Sequence, residues 1–187
     1  MKRQHQLLLI ASTLGLSWLA MQAVHEAGHV GAAVASGGRI ANVKLHPLAL
    51  SHTLLLENPR PLYVAWAGPI VGVIAPLLAW LIAEGLKFRG HYVLRFFAGF
   101  CLVANGAYLA GGSFYVAGDA GDLLRYGTPM AILWLFGLAT IPAGLWLWNG
   151  LGPQFGLGEN SSDVDRATTY VVTLLLLAIV VLELAFG

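Results

Sequence analysis

The stretch QLLLIASTLGLSWLAMQAVHEAGHVGAAVA, residues 6–35, is apolar for long enough to cross a hydrocarbon core of ~30 Å, yet it carries three ionisable side chains near its end. In lipid such a segment must be helical, because a helix alone pairs all of its own backbone donors and acceptors. Four further apolar runs of comparable length follow, at 62–85, 92–118, 129–151 and 167–187. The sequence therefore predicts an all-α polytopic membrane protein with about five transmembrane helices, forming a single integral-membrane domain over 1–187. Composition agrees: 58% of the 187 residues are apolar and 10% are charged, against roughly 45–50% and 25% in soluble domains.

Most of the charge falls in the connections, including Lys87, Arg89 and His91, then Asp119, Asp122 and Arg125, then Glu159, Asp163, Asp165 and Arg166. The net charge is +1 and the basic residues are scattered, so no stripe exists to follow a phosphate backbone and nucleic acid is not an expected partner. The lipid bilayer is, and the expected location is the cell membrane. Cys101 is the only cysteine, which excludes an intrachain disulfide. Lys2-Arg3 ahead of an apolar run has the layout of a signal peptide, but small residues do not stand at both required positions before a cut, so a retained helix is expected.

One connection differs. Between Gly37 and Pro61, Ile40, Val43 and Leu45 are spaced by polar or small residues, His46-Pro47 interrupts, and Leu48 to Leu56 is apolar again. This predicts a short β-hairpin after the first helix, turning near Pro47, since proline suits a turn or an edge.

Within the first span lies His25-Glu26-Ala27-Gly28-His29. Histidines at i and i+4 share a helix face, so both imidazoles can ligate one Zn²⁺ while the intervening glutamate reaches a metal-activated water. A catalytic zinc needs a third protein ligand and an open fourth position. An HExxHxxGxxH continuation fails, because Ala32 and Ala35 stand at its glycine and histidine positions. Glu57 and Glu84 are possible carboxylates. The first and third spans cross in the same direction, so the end of the third returns to the histidine side, where Gly118-Asp119-Ala120-Gly121-Asp122 stands. Asp119 is the leading third ligand and Asp122 the alternative. The same acids also read as an N-cap and first-turn charge of a short helix containing Leu123-Leu124. Asn105, an amide within the third span, is a candidate for binding substrate or for joining helices. His46 and His52 are expected to be solvated, and Glu183 to snorkel to the interface.

HEAGH in a spanning helix, a strand-like segment after it, Ala67-Gly68-Pro69 and a glycine-flanked Asp119 together resemble the site-2 protease family of intramembrane zinc metalloproteases. The likeness covers roughly residues 18–124. It implies a compact member without PDZ or CBS domains, with His25, His29 and Asp119 on zinc, Glu26 as general base and acid, and membrane proteins as substrates. The 39–57 region would present the substrate as an extended strand. The family's Asn-Pro shortly before Leu-Asp-Gly is absent, since Asn105 lies far upstream, Asp119 follows glycine and Ala120 takes the glycine place. The alternative is a non-catalytic membrane protein whose HEAGH cluster holds a structural or transported metal.

Overall fold

The computed structural model describes residues 2–158, 161 and 163–186. The chain runs α1 (Lys2–Ala35), β1 (Arg39–Lys44), β2 (His52–Glu57), α2 (Pro61–Gly85), α3 (His91–Tyr115), α4 (Gly118–Arg125) and α5 (Met130–Trp148), then a 3-10 turn (Gly152–Phe155) and α6 (Arg166–Phe186). Five of these helices are long and apolar enough to cross a membrane, and the expected architecture is the one observed. The proposed end of the last span at Gly187, and the loop residue Glu159, lie outside the described residues.

At 34 residues, α1 is about 51 Å long and packs against α2, α3, α6 and the hairpin. Its buried polar residues Ser12, Thr13, Ser17, Gln22, His25, Glu26 and His29 face inward, because lipid would leave them unpaired. Close approach depends on small residues. A Cβ at Gly28 would lie 2.5 Å from the Ala67 carbonyl oxygen of α2, so the HEAGH glycine and the Ala67-Gly68 pair are where α1 and α2 touch. Between α3 and α5, Gly99 meets Gly144 and Gly106 meets Gly137, with Cβ-to-carbonyl separations of 2.6–3.0 Å. Both pairs are seven residues apart along antiparallel helices, so they lie on one seam.

The hairpin is antiparallel, with Val43 opposite Thr53 and Lys44 opposite His52. Ile40 and Leu55 pack on Ala32, Ala33 and Val64, and Gly38 N donates to Ala33 O at 2.8 Å, fastening the hairpin to the end of α1.

The third span is shorter than expected. It ends at Tyr115 because Val116 adopts φ +53°, a left-handed conformation that is costly for a β-branched residue. Gly118 follows at φ +56°, and the chain restarts as α4. Ala120 and Leu123, both fully buried, pack against Ala65, Leu109 and Leu133 and so fix α4 against α2, α3 and α5.

Candidate metal centre

Two turns of α1 place Gln22, His25, Glu26 and His29 on a shared face, as i, i+3, i+4 and i+7 spacing requires. The two imidazoles meet there, with Nε2 atoms 3.1 Å apart. Asp119 arrives from the first turn of α4, its Oδ2 2.7 Å from His25 Nε2 and 3.3 Å from His29 Nε2. Among the described residues, these three offer ligand atoms close enough together to hold a metal ion.

The far side of each ring settles what its near side presents. Asn105 Nδ2 donates to the Cys101 carbonyl at 2.9 Å, so its Oδ1, 2.7 Å from His25 Nδ1, must accept, and Nδ1 carries the hydrogen. His29 Nδ1 donates to the Val64 carbonyl at 2.9 Å. Both histidines therefore turn Nε2 lone pairs toward each other and toward a carboxylate. Three such acceptors repel unless positive charge, as protons or as a metal ion, lies among them. Bonds of 2.0–2.1 Å to a small tetrahedral ion separate ligand atoms by about 3.3 Å; His25–His29 at 3.1 Å and His29–Asp119 at 3.3 Å come close to this, while His25–Asp119 at 2.7 Å is a hydrogen-bond distance that would open on binding an ion. Burial works against ionisation of Asp119, but its interactions with His25 and His29 outweigh it and hold the carboxyl well below the usual carboxylate range.

Asp122, the alternative ligand, stands outside this triangle. Its Oδ1 lies 3.4 Å from Arg125 Nη1 and its side chain lines the cavity wall. The other carboxylates are elsewhere: Glu57 pairs with Arg39 at 2.9 Å on the exposed hairpin, and Glu84 pairs with His91 at 2.6 Å at the opposite end of α2. Asp119 does not cap α4; Ala117 is the N-cap residue and makes no side-chain bond, since the carboxylate is turned to the histidines instead. Asn105 is 1% exposed with both ends of its amide engaged inside the bundle, where it orients His25, and it also borders an apolar cavity. Glu183 is buried, 6% exposed, within electrostatic reach of His46 in the hairpin turn. His52 is exposed and His46 half-buried.

Glu26 is 4% exposed and both of its oxygens are held. Ser51 Oγ donates to Oε1 and Thr53 Oγ1 to Oε2, each at 2.7 Å, while Ser51 N donates to Gln22 Oε1 at 2.9 Å. Sequence reasoning missed these partners. The signal was a match of periods: Ser51 and Thr53, two apart on an extended segment, share a face, as do Gln22 and Glu26, four apart on a helix. Tyr108 was missed as well. Its ring meets His25 edge-on at 5.9 Å and its hydroxyl oxygen accepts from Asp119 N at 3.2 Å. A Cβ at Gly118 would collide with that hydroxyl, so glycine there serves both the turn and the site.

A polar cavity of about 260 Å³ opens onto His25, Glu26, His29 and Asp119 between β2 and α4, giving water room beside the cluster. Comparison of the chain with protein-family models, with curated proteins and with solved structures finds no match.

Proposed function

We propose that this protein is an intramembrane zinc metalloendopeptidase similar to the site-2 proteases, cleaving membrane-embedded polypeptides. The observation that carries the reading is the convergence of two outward-anchored histidines and Asp119 on one point, with Glu26 adjacent in the same cavity. His25, His29 and Asp119 would hold the ion. A bound zinc supplies Lewis-acid polarisation of a peptide carbonyl and lowers the pKa of a water.

The remaining work falls to the chain. Glu26 takes a proton from the attacking water and delivers it to the leaving amine nitrogen, the shuttle expected of a carboxylate within hydrogen-bond reach of both. Ser51 and Thr53 each occupy one lone pair on its two oxygens, which fixes the carboxylate plane and leaves a lone pair on each oxygen for the proton. Asn105 and the Val64 carbonyl hold the imidazoles in the tautomer that presents Nε2.

The test is a pair of variants of the purified protein with a single-span polypeptide substrate. Glu26→Gln is expected to retain zinc stoichiometry and lose cleavage by at least about 100-fold, whereas His25→Ala loses the metal. Cleavage retained in Glu26→Gln would refute the assignment. Zinc bound by the wild type without any cleavage would instead mark a structural or transport site.

A further inference from the structure

A second cavity, of about 230 Å³, also borders Glu26. Its walls are mostly apolar, from Trp18 and Met21 on α1, Leu50 beside the hairpin and Ala104 on α3, with the amides of Gln22 and Asn105 also in the lining. It shares His25, Glu26, Ser51 and Tyr108 with the polar cavity that holds the metal cluster. The two chambers thus adjoin at the residues assigned to chemistry, and one polypeptide crossing those residues would enter both.

The occupant follows from what lines the floor. A lipid acyl chain filling the chamber would set hydrocarbon against the lone pair that the Ser51 and Thr53 bonds leave on each Glu26 oxygen, a costly desolvation. A polypeptide residue brings an apolar side chain for the walls and its own amide groups for the floor. Size points the same way: an apolar cavity of ~150 Å³ already accepts benzene, so 230 Å³ suits a Phe, Leu or Met side chain and leaves a void around Ala or Gly. Ala104 keeps the chamber deep, since any larger side chain there would project into it.

Resting on the proteolytic reading above, we propose that this apolar chamber is the side-chain subsite next to the scissile bond, selecting bulky apolar residues of a membrane-spanning substrate, with Ala104 as the residue that sets its depth. The test uses the full chain with zinc and a set of single-span peptides in which one position at a time is Phe, Leu, Ala or Gly, the cut site being read by mass spectrometry. Wild type should cut beside Phe or Leu about 10-fold or more faster than beside Gly at the same position, and Ala104→Phe should lower that ratio at least about 10-fold. Equal cutting beside Gly and Phe, or a ratio unmoved by Ala104→Phe, overturns the proposal. A second readout is independent of turnover: Glu26→Gln protein photolabelled by the same peptide carrying a benzophenone side chain should be labelled at Met21, Leu50 or Trp18. Label found only on lipid-facing surfaces overturns the subsite. Labelling in the chamber with no cleavage by wild type refutes proteolysis while keeping a polypeptide-binding chamber, and cleavage without preference or chamber label refutes the chamber alone.

Discussion

Gly68→Ala should disable metal binding without replacing a ligand. His29 is pinned from behind by the bond from its Nδ1 to the Val64 carbonyl, 2.9 Å, and Gly68, one turn further along α2, leaves the space its ring occupies. A methyl built on Gly68 collides with His29 Nε2, the ligand atom itself, and falls 2.5 Å from Cε1 and 2.8 Å from Cδ2, where ordinary contact begins at 3.4 Å. The ring must therefore retreat by roughly an ångström, or α2 must move away from α1 by as much. Metal–ligand bonds tolerate only about 0.2 Å, so His29 Nε2 leaves the set that includes His25 Nε2 and Asp119 Oδ2. The expected loss is roughly 100-fold in zinc affinity, with about 1–3 kcal/mol of stability lost to overpacking. Competitive titration of purified protein against a chromophoric zinc chelator reads the affinity, and thermal unfolding in detergent reads the stability. Gly31→Ala is the control, since nothing lies within 4 Å of a Cβ there. Zinc affinity within threefold of wild type in Gly68→Ala would refute the geometry on which the metal centre rests.

Two other perturbations probe the supports. Asn105→Ala removes the acceptor for His25 Nδ1–H and should weaken zinc binding about 10–100-fold, while Asn105→Asp, which keeps an acceptor, should recover most of it; equal affinities for the two variants would sever Asn105 from the metal. At the start of α6, Asp165 accepts from Thr168 N at 3.2 Å and Thr168 Oγ1 at 2.6 Å, the bonding of an N-cap. Asp165→Ala should cost about 1 kcal/mol at pH 7 and Asp165→Asn only a few tenths. The Thr168 hydroxyl chiefly holds the Asp165 carboxyl below its usual value, so its stabilisation is complete above the unfolded value near pH 4 and is lost as pH falls through the lower folded one. The gap between wild type and Asp165→Ala must therefore shrink on acidification in thermal unfolding scans, and a gap that widens contradicts the cap.

How far the sequence specifies this molecule depends on the range over which each signal acts. The spans are readable because a run of 18 or more apolar residues has one stable solution in lipid, and the helix face carrying His25, Glu26 and His29 follows from local spacing alone. The end of α3 is not readable, since Val116 is held at φ +53° against its own preference by tertiary packing of α4 through Ala120 and Leu123. That override decides the site. Had α3 continued to residue 118, Asp119 would prolong its axis; the turn at Val116 and Gly118 instead sends it back to the histidines, while Asp122, three residues on, pairs with Arg125. Glu26 illustrates the other limit. Its partners Ser51 and Thr53 are 25 and 27 residues away in sequence, and only the seating of the hairpin on Ala32, Ala33 and Val64 brings them within reach. The glycines of HEAGH and Ala67-Gly68 link the two scales: weak as motifs, they are the points where α1 and α2 come close enough for Val64 to hold the ring of His29. A substitution that respects the HExxH spacing but parts those helices should therefore empty the site as surely as one that removes a ligand.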